Sequence, residues 1–186
     1  EESFTPIEET LEALNDLVRS GKVRHIGLSN ETPWGTMEYL RLSGEKGWPR
    51  VASIQNPYNL LNRSFEVGMA EIAHREQAGL LAYSPLAFGM LSGKYLGGIP
   101  EDSRAAQDKS LNADFLNERN LGNIRALNDV AKRRGQTLAQ MALAWVLRGG
   151  RVTSALIGAS RPQQIVDCVG ALENQEFTEA ELNEID

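Results

Sequence analysis

Apolar positions along this chain follow two rhythms. Ile7, Leu11, Leu14, Leu17 and Val18 recur every three or four residues and share one face of a helix. Thr5-Pro6-Ile7-Glu8 opens it, with Thr as the N-cap, Pro at the first helical position and Glu three residues after the cap; Gly21 is placed to end it. Residues 23–28 then form a short apolar run without polar alternation, which predicts a strand buried on both faces, as in parallel sheets.

The alternation repeats. Thr32-Pro33 caps a second helix with Trp34, Met37 and Leu40 on its buried side, and residues 51–55 read as a second strand. A third helix is predicted over 65–77, with Val67, Ile72 and Ala73 among its apolar positions, and a third strand over 80–83. A glycine-bearing stretch follows over 88–98, then a polar segment to about 117. Helices are predicted over 124–134 and over 138–147, the latter behind the capping box Thr137-x-x-Gln140. A fourth strand spans 154–157, Ser160-Arg161-Pro162-Gln163 opens a helix to about 172, and Thr178-x-x-Glu181 caps a short last one.

Strand–helix units at intervals of about 28 residues imply parallel strands joined by crossover helices. Two architectures satisfy this pattern: a doubly wound open sheet, or part of a (β/α)8 TIM barrel. A complete barrel needs eight strands and about 250 residues, so a barrel would be represented here by half, as one incomplete domain over 1–186. The chain opens on Glu1-Glu2-Ser3 and not on Met, and the expectation is a longer native protein of which this is a part. A bare segment of this kind would present unpaired hydrophobic edges, so it is expected to dimerise or aggregate, and a homo-oligomer belongs among the expected assemblies.

Composition narrows the function classes. Nineteen Lys and Arg against 25 Asp and Glu give a formal charge of -6, which disfavours a global basic face and hence nucleic acid as partner. No run of 18 apolar residues is present, so no membrane span is expected. No charged-then-apolar leader opens the chain, and Cys168 is the single cysteine, which excludes an internal disulfide; a reducing cytoplasm is the expected setting.

Ligands of parallel α/β folds bind beyond the carboxyl ends of the strands. Those ends carry Ser29-Asn30, Gln55-Asn56, Tyr83-Ser84-Pro85-Leu86 and Gly158-Ala159-Ser160. Ser, Asn and Gln offer paired donors and acceptors suited to a carboxamide, and Tyr offers a flat ring for stacking. Each group alone is also ordinary turn chemistry; their recurrence after all four strands points to a site. Gly-Met-Leu-Ser-Gly-Lys-Tyr, residues 89–95, is a loop through which backbone N–H groups approach phosphate, though it lacks the first Gly of a Walker A motif, with Phe88 in that place. No G-x-G-x-x-G follows the first strand. The helix after Ser160 offers free N–H groups to an anion, with Lys94, Arg104 and Arg161 as countercharges that in isolation also read as solvated surface residues. His25 lies four residues before Ser29, about 13 Å along a strand, and reads as a core histidine at the opposite end. His74 reads as a surface residue, Glu8-Glu9 and Glu101-Asp102 as helix-start or loop charges, Cys168 as an inert buried thiol, and no His/Cys cluster has metal-ligand spacing.

Four segments carry a family resemblance: Gly-Lys-Val-Arg-His-Ile-Gly-Leu-Ser-Asn (21–30), Ile-Gln-Asn-Pro-Tyr-Asn (54–59), Tyr-Ser-Pro-Leu-Ala-Phe-Gly-Met-Leu-Ser-Gly-Lys-Tyr (83–95) and Ile-Gly-Ala-Ser-Arg-Pro-Gln-Gln-Ile (157–165). In this order they resemble the second half of an aldo-keto reductase, of the Tas-like and potassium-channel β-subunit branch. The likeness runs from Thr5 to the C-terminus and weakens over 105–120. It implies a (β/α)8 barrel of which this chain carries strands five to eight, with NADP(H) bound in an extended pose. By resemblance, Ser29, Asn30 and Gln55 hold the nicotinamide carboxamide, and Tyr83 stacks on the nicotinamide ring. Ser84, Pro85, Leu86, Ser92, Lys94 and Arg104 line the pyrophosphate and sugar path, and Gly158, Ser160 and Gln164 meet the adenosine end.

Two departures accompany the resemblance. Cys168 stands where the branch usually has Asn, which puts one adenine contact and the choice of NADP over NAD in question. The family's catalytic Asp, Tyr, Lys and His belong to earlier strands and have no counterpart here. The implied function is NADP(H)-dependent reduction of aldehyde or ketone carbonyls, with this segment supplying the cofactor contacts and a small carbonyl compound as substrate. The alternatives are a nucleotide-sensing subunit with little turnover, and a phosphate-binding barrel for another ligand.

Overall fold

The computed structural model describes residues 5–101, 103, 105–107 and 111–186. Four strands, β1 (Ile26–Ser29), β2 (Val51–Pro57), β3 (Gly79–Tyr83) and β4 (Ser154–Leu156), form one parallel sheet in the order β1-β2-β3-β4. A doubly wound sheet reverses its strand order at a switch point. No reversal occurs among the described residues, so of the two architectures left open by the pattern, the doubly wound one is set aside.

The helices are α1 (Ile7–Arg19), α2 (Pro33–Lys46), α3 (Met69–Arg75), α4 (Glu118–Arg133), α5 (Leu138–Leu147), α6 (Pro162–Val169) and α7 (Glu179–Ile185). Leu28, Ile54, Leu80 and Ala82 face them and are buried. The opposite face is open. Register places Ser29, Gln55, Leu81 and Ser154 in one row across it, and Pro57, Tyr83 and Leu156 in the next. Residues 23–28 were expected to be buried on both sides. Instead β1 begins at Ile26 and alternates, Ile26 and Leu28 buried, Gly27 and Ser29 exposed, because only one side of the sheet has a layer against it. His25 precedes the strand and is exposed, not a core residue.

Capping chemistry sets most helix starts. The Thr32 hydroxyl accepts the Gly35 N–H at 3.0 Å, and complete capping boxes join Thr137 to Gln140 and Thr178 to Glu181. The first helix departs from this pattern: Pro6 is its N-cap, with no side-chain cap, so Thr5 does not serve as one. In α2, Trp34 and Met37 are exposed; the helix buries Gly35, Thr36, Tyr39, Leu40, Leu42 and Ser43 instead. The helix expected over 65–77 is broken. A 3-10 turn at Ser64–Glu66 is separated from α3 by Val67, 79% exposed, and by Gly68 at φ 86, which a continuous helix cannot contain. Helix α4 starts six residues before the predicted 124, behind an Asn117 cap that receives the Asn120 N–H at 3.0 Å.

The buried side chains form two clusters. The larger joins Ile54, Leu80 and Ala82 of the sheet to Met69, Ile124, Val130, Met141 and Trp145; the smaller joins α1, β1 and α2 through Leu11, Ile26, Leu28, Leu40 and Leu42, with Val51. Among the described residues no helix is long and apolar enough to cross a membrane, and no group of His, Cys, Asp and Glu could hold a metal ion.

Candidate functional site

The carboxyl ends of the four strands lie side by side. Ser29 at the end of β1 pairs in register with Gln55 of β2, and both face the open side. The chain turns immediately after β1 and β3 at two non-glycine residues in the left-handed region, Asn30 (φ 56) and Ser84 (φ 50). Such conformations cost of order 1–3 kcal/mol and cluster where structure serves function. Ala87 (φ 47) and Phe88 (φ 56) continue the unusual backbone into the glycine-bearing loop.

Hydrogen bonds link these turns. The Asn30 N–H donates to the Gln55 carbonyl at 3.0 Å, and its side-chain amide donates to the Ser29 hydroxyl at 3.3 Å. The Tyr83 hydroxyl donates to Asn30 Oδ1 at 2.8 Å, across 53 residues of sequence. Ser29, Asn30, Gln55 and Tyr83 are therefore one cluster on the open face. This arrangement offers a hydroxyl, two amides and the ring of Tyr83 to a planar amide-bearing ligand. Beneath the cluster, Asn59 donates to the Ser84 carbonyl at 2.9 Å. Asn59 carried no role in the sequence reading: its position after β2 resembles ordinary turn chemistry, and only the cross-chain bond distinguishes it.

The remaining expected residues lie in the segments after β3 and β4. Pro85 is buried and Leu86 packs against the larger cluster, so both shape the loop. The Ser92 hydroxyl donates to the Gly89 carbonyl at 2.7 Å. Lys94 is exposed, its Nζ 4.9 Å from the Tyr95 ring centroid, and a Cβ on Gly89 would stand 3.1 Å from that Nζ. Arg104 lies outside the described residues, as does Asp102. After β4, Gly158 and Ser160 are exposed. The N–H groups expected to be free at the start of α6 are partly used: Gln164 Oε1 accepts those of Ser160 (2.7 Å) and Arg161 (3.1 Å) and the Ser160 hydroxyl (3.2 Å). Gln164 thus shapes the turn that presents Ser160. Cys168, one helical turn further on, is half-buried, and burial, then Asp167, pushes its thiol above the usual range.

Two hollows lie away from the cluster. A groove of about 540 Å³ runs between α3 and the starts of β3 and β4, over Phe65, Ala70, His74 and Val152. A shallower one of about 710 Å³ lies at the amino ends of β1 to β3, by Arg24, His25 and Arg50.

Comparison with known proteins fits this geometry. Residues 2–186 match the model of the family described as "Aldo/keto reductase family". The chain is 44% identical over 188 residues to an L-glyceraldehyde 3-phosphate reductase of Escherichia coli (strain K12), covering 98% of this chain and 54% of that protein. It is 44% identical over 178 residues to Protein tas of the same strain, covering 96% and 51%. It is 35% identical over 198 residues to an aldo-keto reductase of Babesia bovis, covering 100% and 68%. The chain spans about half the length of the two bacterial relatives. A parallel sheet with amide, hydroxyl and aromatic groups gathered at its carboxyl end, and a family model matched from residue 2 to residue 186, together place the chain in the aldo/keto reductase family.

Proposed function

We propose that this chain is the cofactor-binding half of an NADP(H)-dependent reductase that converts aldehyde or ketone carbonyls to alcohols. In this reading its four strands are the fifth to the eighth of a (β/α)8 barrel, and the open face is the barrel's interior. The observation that carries the proposal is the cluster of Ser29, Asn30, Gln55 and Tyr83, joined by strand register and by the 2.8 Å bond from Tyr83 to Asn30.

The donor set fits a nicotinamide. Ser29 and Gln55 expose a hydroxyl and an amide from adjacent parallel strands, the pairing a carboxamide requires. Tyr83 supplies a half-exposed ring whose orientation is fixed at its hydroxyl, so one face of a stacked ring is covered and the other left to the substrate. Ser84, Pro85, Leu86, Ser92 and Lys94, with Arg104, are assigned to the pyrophosphate and sugars, and Gly158, Ser160 and Gln164 to the adenosine end. When bound, NADPH supplies the hydride. The proton donor to the carbonyl oxygen comes from outside this segment. Cytoplasmic residence accompanies this reading.

The test uses the full-length protein. Nicotinamide fluorescence is expected to shift on binding, and NADPH is expected to be oxidised when an aldehyde is added. A phosphorylated aldehyde belongs in the panel, since one relative is named for L-glyceraldehyde 3-phosphate. Absence of NADPH binding overturns the proposal. Tight binding with no carbonyl-dependent oxidation replaces catalysis with nucleotide sensing.

A further inference from the structure

We infer that Asn59 is a positioning residue for the Tyr83 ring: it fixes the backbone corner from which that ring projects over the open face. Asn59 is 4% exposed, in the tight connection after β2. Its side-chain oxygen accepts the N–H groups of Leu61 at 2.9 Å and Asn62 at 2.8 Å. Its backbone exchanges hydrogen bonds with Asn62 at 3.0 and 3.2 Å. Two hydrogen bonds therefore pin this side chain, and two more its backbone, before it reaches the site. The remaining group, Nδ2, donates across to the Ser84 carbonyl at 2.9 Å.

That carbonyl belongs to a residue at φ 50, a conformation that residues with side chains adopt only when their surroundings hold them. A second tie acts one peptide earlier, where the Tyr58 N–H donates to the Tyr83 carbonyl at 3.3 Å. At the other end of the ring, the Tyr83 hydroxyl donates to Asn30. The ring is thus fixed at both ends, its phenol by Asn30 and its main chain by the connection that carries Asn59. Asn59 lies below the face and acts only through Ser84. The consequence for cofactor rests on the reading of Tyr83 as the nicotinamide platform; the fixing of the ring does not.

Asn59→Asp in the full-length protein is the test. It keeps the acceptor oxygen for Leu61 and Asn62 but sets an oxygen, not a donor, against the Ser84 carbonyl. The first readout needs no cofactor. In tyrosine-labelled NMR spectra, with Tyr83 assigned through Tyr83→Phe, the variant is expected to shift and broaden the Tyr83 ring signals and leave those of Tyr39 and Tyr95 in place. An unchanged Tyr83 signal overturns the inference. The second readout compares NADPH with 2′,5′-ADP, which lacks the nicotinamide. NADPH is expected to bind about fivefold more weakly, the scale of one hydrogen bond, with 2′,5′-ADP unaffected. Equal weakening of both ligands, or of neither, overturns the positioning role. A wild-type protein that does not bind NADPH but whose Tyr83 signals respond to Asn59→Asp overturns the cofactor reading and leaves the positioning intact.

Discussion

At the scale of single residues, β1 and β2 approach closely where the open face is polar and small. A Cβ added to Gly27 would stand 2.5 Å from the Ser53 hydroxyl oxygen and 3.1 Å from the Ser53 carbonyl oxygen, so β1 and β2 come together there only because Gly27 has no side chain. Gly27→Ala is expected to cost about 1–3 kcal/mol, seen as a lowered Tm in thermal unfolding followed by circular dichroism; an unchanged Tm would show that Ser53 rotates away freely. The same scale shows what sequence alone discloses. That Ser29, Asn30, Gln55 and Tyr83 gather at one end of the sheet was legible, because they close apolar runs whose carboxyl ends lie side by side in a parallel sheet. Trp34 and Met37 were misread, because periodicity defines a helix face without saying which face is covered. Helix α2 buries Leu40 as expected, but with Leu42 and a mixed face of Gly35, Thr36, Tyr39 and Ser43, whose small and polar members no hydrophobic pattern marks. Asn59 was not legible as a functional residue, since its partner Ser84 is 25 residues away in sequence.

At the scale of elements, one side chain fastens the C-terminal segment. The Arg134 side chain is 2% exposed and bonds Glu181 at 2.9 Å, the carbonyls of Asn174 (3.1 Å) and Glu176 (2.9 Å) and the Gln136 amide oxygen at 2.9 Å. Its guanidinium also lies 3.7 Å from the centroid of the Phe177 ring. Arg134→Met is expected to destabilise the protein by about 3 kcal/mol, because the carboxylate and carbonyls lose their partner together, and limited proteolysis should then release α7 first. Its acidic partner makes this pH-dependent. The Thr178 N–H, then the Arg134 and Thr178 side chains, hold the Glu181 carboxyl below its usual value of 4.5. A carboxyl lowered on folding stabilises above its unfolded pKa, and that contribution disappears as pH falls through its folded one. Tm measured from pH 7 down to pH 3 should therefore fall below about pH 4.5, and Glu181→Gln should flatten part of that decline. Elements with complete caps, α5 and α7, were readable to within a residue of their starts; α3 was not, because Gly68 lay inside a stretch whose apolar spacing looked continuous.

At the scale of the whole molecule, the surface is too large for the mass. The accessible area is 11404 Å², whereas a compact monomer of 20.5 kDa exposes roughly 8,800 Å². Part of the exposed surface is apolar. Helix α6 buries none of its residues and exposes Ile165, Val166 and Val169, with Leu172 beyond its end and Leu156 on the adjoining edge strand. Surfaces of this kind are covered in stable proteins. The 186-residue chain produced by itself is expected to associate at micromolar concentration in sedimentation velocity, with Ile165→Glu and Val169→Glu together reducing the effect; a monomer with cooperative unfolding would refute this. The fold class was legible as alternating strands and helices; pattern alone left a wound and an unwound sheet open, and the family resemblance implied the sequential order β1-β2-β3-β4 that the sheet has. The two separate clusters under the sheet have a further consequence. The buried apolar side chains of α1, β1 and α2 group apart from those around Trp145, so that corner is expected to open as a unit of its own. Its amide hydrogens should exchange with solvent through a partial opening, while those of β3 and α5 wait for the whole molecule to come apart.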